Sequence, residues 1–426
     1  MRWVASTSKT FGMLWGAQLV LLLLSTGSAL ALSLSVFDRT EAVTALAAVT
    51  AVSLASSIYL APAIGTVIDR VPRKVAIVGA NVGVGVTSLA VAAVVWRDLP
   101  TWLLITLVLC AGIFSTAIGL SLQASVRLLR READLTRANA VVSVIENAPV
   151  FAGPLIGALV YALAAPHWVF VIEGVGALAV ALLVSRIAWD VPDPVAMRRS
   201  PNPFHGLRRG FRFILGDRDL RIVQVSFAGL NVAGGFATPV ATAFVLAGAG
   251  GAMAAESWRL TTVSIAGSLG LLLGSAVVLG LVGRVRRGTM IVGGMAAGGL
   301  LGRVGLALTT SLVAIVPAYV ARNICVQVSN APLTAIWQER TPPEIQATVF
   351  GARRLLGQGL YPVAVVAGGL LVDALVRLGV PAVGAMTIAL AGAGLVEVVC
   401  GLGLWATRAP KRLETAPAVQ EPADAA

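Results

Sequence analysis

Charge is what this 426-residue chain has least of: Asp, Glu, Lys and Arg make up 12% of it, against 57% hydrophobic residues. Charge that sparse cannot cover a water-soluble domain, and a mean hydropathy of +0.88 excludes one. Histidine and cysteine are nearly absent, at two and three residues. His167 and His205 fall in loops on opposite sides, and no acidic pair stands at metal-ligand spacing within the apolar runs, so neither an embedded enzyme nor a metal site is expected. Cys110, Cys325 and Cys400 sit inside apolar runs at spacings that suit no disulfide framework and read as small hydrophobes. No Gly-x-x-x-x-Gly-Lys-Ser/Thr loop occurs, so nothing is present to cradle a nucleotide phosphate.

What the chain has in abundance is apolar length. A helix needs about 20 apolar residues to cross the hydrocarbon core. Roughly twelve such runs follow one another, over about 11–36, 42–64, 75–96, 100–123, 138–164, 168–186, 221–247, 258–282, 289–309, 312–337, 352–376 and 380–406. The expectation is an all-α polytopic membrane protein of twelve transmembrane helices, with no room for a soluble domain. Arg2 and Lys9 ahead of a Leu-rich run, with Ala29-Leu-Ala31 behind it, resemble a secretory signal. The uncharged stretch from Phe11 to Val36 is much longer than a signal core of about 7–15 residues, so the segment is read as a retained first helix.

The net charge of +12 is sorted by loop, which points to lipid and away from nucleic acid. Loop 2–3 carries Arg70, Arg73 and Lys74; loop 4–5 carries Arg127, Arg130, Arg131 and Arg137; loop 8–9 carries Arg284, Arg286 and Arg287; loop 10–11 is read as carrying Arg340, Arg353 and Arg354. The stretch from Arg198 to Arg221 and the tail with Arg408, Lys411 and Arg412 share that side, whereas the opposite loops offer only Arg39, Arg97, Arg259 and Arg377. The positive-inside rule then places both termini in the cytoplasm of a multi-pass protein of the inner, or plasma, membrane.

Between the sixth and seventh spans Pro192-Asp-Pro194 and the polar stretch from Met197 to Asp219 mark a joint. The chain divides into an N-terminal six-helix half over 1–190, a linker over 191–220, a C-terminal six-helix half over 221–408 and a disordered tail over 409–426. The spacing of Phe204, Leu207 and Phe211 among arginines suits an amphipathic helix on the inner leaflet, or else a solvated linker.

Gly65-Thr-Val-Ile-Asp-Arg-Val-Pro-Arg-Lys74 is a short cationic island between two spans, and Arg284-Val-Arg-Arg-Gly288 recurs about half a chain later, between two more. Paired islands imply internal duplication. Two six-span halves and this loop resemble the major facilitator superfamily, whose Gly-x-x-x-Asp-Arg-x-x-Arg-Lys signature is matched by Gly65, Asp69, Arg70, Arg73 and Lys74. The resemblance implies two pseudo-symmetric halves, alternating access and a gating latch in which Asp69 holds the outward-open state. Gly65 lets two helices approach closely. Gly283 stands where the second island would carry the acid, so the latch is expected only in the first half.

Asp134-Leu-Thr-Arg-Ala-Asn-Ala140 followed by Gly153-Pro154-Leu-Ile-Gly157 is similar to the exporter branch that contains enterobactin and macrolide efflux proteins. There Pro154 is expected to kink the fifth helix, and Gly153 and Gly157 to give a smooth face to a neighbour. Ala140 and Pro149 replace upstream glycines of the antiporter pattern, and no charge appears from Trp102 to Val126.

Polar residues inside spans mark a cavity or a helix contact. Asn323, Gln327, Asn330 and Thr334 recur on one face of the tenth span. Gln224, Asn231 and Thr238 are two turns apart on the seventh, as are Gln18 and Ser25 on the first and Thr116 and Gln123 on the fourth. The resemblance implies that these four helices line a central substrate cavity. Glu146, Arg303 and Arg322 are the ionisable candidates for proton or charge coupling, with Glu146 as the proton carrier and Arg322 as its counter-ion or as an anchor for an anionic substrate group. Glu173 and Glu397 are read as close enough to an interface to be solvated. The resemblance as a whole implies a secondary transporter in the bilayer, an efflux antiporter driven by the proton gradient with no bound cofactor; the mix of amides, one arginine and apolar walls suits a small amphipathic organic molecule, and the oligomeric state, with a monomer favoured, stays open. Uptake of a nutrient or metabolite by the same fold is the alternative.

Overall fold

A computed structural model describes residues 2–40, 52, 53, 55–129, 134–187, 203–247 and 257–415. Every regular element among them is helical. A chain with hydrocarbon as solvent must close its backbone hydrogen bonds within each segment, which a helix does. The N-terminal half comprises α1 (Arg2–Thr40), α2 (Ala61–Ile68), α3 (Arg73–Trp96), α4 (Thr101–Leu129), α5 (Leu135–Asn147), α6 (Pro149–Leu163) and α7 (His167–Arg186). A connecting helix, α8, covers Pro203–Gly216. The C-terminal half comprises α9 (Arg218–Ala247), α10 (Ser257–Leu281), α11 (Arg287–Ala307), α12 (Leu312–Arg340), α13 (Gln346–Gln358), α14 (Tyr361–Arg377) and α15 (Ala382–Thr407), after which α16 runs over Ala409–Thr415.

Ten helices among the described residues are long and apolar enough to cross a membrane. About half of the second expected span, 42–51 with 54, lies outside the described residues, and the fifth is divided between α5 and α6. The division falls at Ala148, just before Pro149, and not at Pro154, through which α6 continues unbroken. Pro149 has no N–H to return to the preceding turn, so it opens a new helix as its first residue. Trp96, Trp102 and Trp168 are exposed at one end of the bundle, as suits rings at a membrane–water boundary. The loops rich in arginine lie at the other, the basic end.

Each half has its own apolar core, one around Phe11, Leu14 and Trp15 and the other around Ala237, Phe244 and Ile315. A third cluster at the basic end joins Ile68 and Leu120 of the first half to Trp337 and Phe350 of the second. The linker helix α8 sets Ile214 into this cluster, with Phe211 and Phe213 against it, so the bundle itself takes up this apolar face. The side chains of Phe204 and Leu207, and residues 191–202, lie outside the described ones. Residues 409–415, expected to belong to a disordered tail, form α16. In α16 Leu413 is buried, Arg340 donates to its carbonyl, and Arg412 pairs with Asp219 at 2.5 Å; residues 416–426 lie outside the described ones.

Close contact between α1 and α6 runs through glycine. A Cβ on Gly157 would lie 2.4 Å from the Gly27 carbonyl oxygen, and one on Gly153 would collide with the Thr26 hydroxyl, which donates to the Pro149 carbonyl at 2.9 Å. Gly157→Leu is therefore expected to destabilise the protein by about 1–3 kcal/mol. A lower unfolding temperature in detergent checks this, with Gly12→Leu as a control, because no atom lies within 4 Å of a Cβ there.

Candidate functional site

The loop between α2 and α3 reaches across to the other half. Both oxygens of Asp69 cap the start of α13: Ala347 N–H donates to Oδ1 at 3.0 Å and Thr348 N–H to Oδ2 at 2.6 Å. A carboxylate suits this position because the first N–H groups of a helix have no partner of their own and carry partial positive charge. Arg73, 1% exposed, donates from Nη2 to Asp69 Oδ1 at 2.6 Å and to the Pro343 carbonyl at 3.0 Å. Gly65 permits the approach, since a Cβ there would lie 2.3 Å from the Ala347 carbonyl oxygen. Lys74 serves a different place, donating to the Ile187 carbonyl beyond α7 at 2.9 Å. Arg70 Nη2 is buried with no hydrogen-bond partner.

A second set of bonds closes the same end. Asn139 Nδ2 donates to Gln338 Oε1 at 2.7 Å, Gln338 Nε2 donates to the Gln123 carbonyl at 3.1 Å, and Arg127 donates to the Thr341 carbonyl. Gln338 is fully buried between the halves. It escaped the sequence reading because it stands one residue from the last charged turn of its helix, where an amide looks solvated. In the second cationic island Arg287 pairs with Glu339 of α12 at 2.5 Å, and Glu414 of α16 accepts from the Arg287 N–H at 3.3 Å.

The C-terminal half encloses a cavity of about 460 Å³. Arg303, Arg322 and Glu397 meet at its wall. Glu397 Oε1 accepts from Arg303 Nε and lies 3.5 Å from Arg322 Nη2. The geometry depends on α11, which changes to a π-helical turn over Gly298–Val304 just where Arg303 leaves it. A π turn inserts a residue and rotates the rest of the helix, and such turns are frequent at functional sites. Gly302 leaves the space taken by the Arg322 stem, as a Cβ there would lie 2.4 Å from Arg322 Cβ. Glu397, expected to be solvated, is instead 4% exposed and the shared partner of two arginines. The counter-ion of Arg322 is therefore Glu397 and not Glu146.

A second cavity of about 350 Å³ lies in the N-terminal half, lined by Ser25, Ser28, Ser115, Thr116 and Glu173, with Arg354 entering from α13. Glu173 is buried and accepts from Ser88 Oγ at 3.0 Å, again contrary to the solvated reading. Arg354 is the cation whose field reaches Glu146, on the other half. Arg353 and Arg354, read as loop residues, belong to α13, which starts at Gln346. Arg353 is buried with its guanidinium over the rings of Phe227 (4.9 Å) and Trp337 (5.5 Å), which replaces part of its lost hydration.

Of the seven amides expected in a central cavity, Asn231 and Asn330 line the C-terminal one, as does Thr238. The others are engaged elsewhere. Gln224 Nε2 donates to the Arg353 carbonyl at 3.0 Å, Gln123 serves the closure through its backbone carbonyl, and Gln18 is buried inside α1. Asn323 and Gln327 face Gly270 and Gly274 of α10, so their stripe packs a neighbouring helix. The cavity face of α12 is instead Tyr319, Arg322, Val326 and Ser329, about one residue, or 100°, around the helix. Periodicity finds a polar stripe but not what it faces.

The family model described as Major Facilitator Superfamily matches residues 14–365. No curated protein matches the sequence. Among solved structures, a bacterial homologue of the iron transporter ferroportin, outward-facing with soaked iron, gives a TM-score of 0.71 at 12% identity, over 92% of this chain and 98% of that one. The human organic anion transporter MFSD10 (TETRAN) gives 0.71 at 16% identity, over 93% and 99%. The E. coli fucose:proton symporter gives 0.70 at 11% identity, over 93% and 98%. Identities this low establish the fold and nothing finer. With a matched model over most of the chain, two helical halves and paired cavities between membrane-length helices, the chain belongs to the major facilitator superfamily, a multi-pass membrane transporter of small molecules.

Proposed function

We propose that the protein is a secondary active exporter that moves small amphipathic organic molecules out of the cell in exchange for protons, by alternating access. The observation that carries this reading is the closure at the basic end, where Asp69 caps α13, combined with a charged cavity lying toward the other end. Arg322 stands ten residues, or about 15 Å, from the start of α12 at that end. With the basic end in the cytoplasm of the plasma membrane, the conformation is the outward-facing one. The similarity of Asp134–Ala140 and of Gly153, Pro154 and Gly157 to the enterobactin and macrolide exporters supports the direction.

Glu146 is the proposed proton carrier. It sits on α5 of one half and its cation, Arg354, on α13 of the other, so a rocking motion of the halves changes the charge it meets. That coupling is what a proton exchanger needs. The proton gradient serves as energy source, and a monomer supplies every group invoked.

A pump-deficient bacterial strain expressing the protein tests the reading through intracellular accumulation of fluorescent amphiphiles. Lower accumulation that a protonophore abolishes is the expected result, and Glu146→Gln should remove the effect of the protonophore. Raised accumulation assigns the protein to uptake instead, and full coupled flux in Glu146→Gln removes Glu146 from the mechanism.

A further inference from the structure

The cluster at the C-terminal cavity does not balance. Two guanidiniums, Arg303 and Arg322, share one carboxylate oxygen of Glu397, which leaves an excess of one positive charge. Among the described residues no second carboxylate lines this cavity. A cation inside a membrane-spanning bundle persists where it lines water or meets a partner.

The two arginines are not equivalent. Arg303 is 5% exposed and holds Glu397 directly through Nε. Arg322 has a side chain 26% exposed, reaches Glu397 only at 3.5 Å, and its Nε is buried with no hydrogen-bond partner. Arg322 thus has donors to give and faces the open space. Around it the cavity offers neutral donors, the amide of Asn330 and the second N–H of the Asn231 amide, whose first donates to the Phe227 carbonyl at 2.8 Å. Phe227, Leu230 and Val263 supply apolar wall. The site is built, since the π turn sets Arg303 against Glu397 and Gly302 makes room for the Arg322 stem.

We propose that this cavity receives a small organic anion, its single carboxylate or sulfonate on Arg322 and its apolar body against the α9 and α10 walls. The proposal names the substrate class of the transport reading and rests on it. Charge then balances in two pairs, Arg303 with Glu397 and Arg322 with the ligand. A guanidinium is the side chain best matched to such a group because its planar fork donates in parallel to two oxygens.

The test uses the purified full chain and three matched probes: 2-naphthalenesulfonate, its neutral sulfonamide, and a naphthylmethyl-trimethylammonium cation. A permanently ionised sulfonate does not cross lipid by itself, so both its binding and its flux are readable. The expected result is that the sulfonate alone raises the unfolding temperature of the wild-type protein and moves into proteoliposomes. Arg322→Gln should weaken its binding by roughly 10- to 100-fold, a factor typical of losing one charge-assisted pair. Arg322→Lys, which keeps the charge, should fall between the two. Arg97→Gln, whose guanidinium rests on Trp96 in the N-terminal half, away from this cavity, should bind as wild type. No shift with the sulfonate, an equal shift with either other probe, or full affinity in Arg322→Gln overturns the anion site. Transport of the neutral or cationic probe without the sulfonate overturns the substrate class and keeps the transport reading. Arg322-dependent binding of the sulfonate with no flux of any probe keeps the site and removes that reading.

Discussion

Asp69→Asn is expected to reduce transport at least tenfold and to drive the basic end open. The carboxylate accepts from two backbone N–H groups of α13 and from Arg73. Asparagine keeps one acceptor oxygen and replaces the other with an amide that faces an N–H donor. It also leaves Arg73, 1% exposed, as an uncompensated buried cation. Removing one partner of such a pair costs about 3–5 kcal/mol. The two caps on α13 exist only while the halves are closed at this end, so their loss falls on that state, whereas the Arg73 pair lies within one half; a difference of about 5.5 kcal/mol inverts a 99:1 population. Distances between spin labels at Val67→Cys and Glu344→Cys, with Cys110, Cys325 and Cys400 removed, read the shift directly. Unchanged distances and unchanged flux in Asp69→Asn would show that the capping contact does not set the equilibrium.

Glu397→Gln is expected to produce the largest loss of stability of any single change in the C-terminal half, again about 3–5 kcal/mol. It removes the one acid that Arg303 and Arg322 share, and Arg303 is only 5% exposed. The double replacement Arg303→Met with Glu397→Met should recover most of that loss, since apolar groups of similar volume avoid the desolvation that the ions carry. Thermal unfolding of the two variants in detergent decides the matter. Equal unfolding temperatures for wild type and Glu397→Gln would mean that the arginines find other partners. A double variant no better than the single one would mean that packing around the π turn, and not charge, holds α11 to α15.

The Asp69 loop was legible because its acid and its three basic residues sit within ten residues, and a short loop keeps near sequence neighbours near in space. Its receiver was not, since Ala347 and Thr348 contribute only backbone N–H groups, which every residue type except proline carries. Glu397 was misjudged for a related reason. It lies ten residues from the end of α15, about 15 Å, where sequence alone does not separate an exposed acid from a buried one. What buries it is Arg303, 94 positions earlier, aimed by a π turn that leaves no periodic trace in a run of glycine and leucine.

Hydropathy and charge sorting by themselves determined that the chain is a helical membrane protein of two halves, because both are sums over local residues and a spanning helix must be continuous in sequence. Only the tertiary structure decided which ions share a partner, which polar stripes face a cavity and which face glycines of the next helix. Those outcomes depend on the rotation and depth of each helix against its neighbours. A rotation of one residue, about 100°, exchanges a cavity wall for a packing face while leaving composition, length and period untouched.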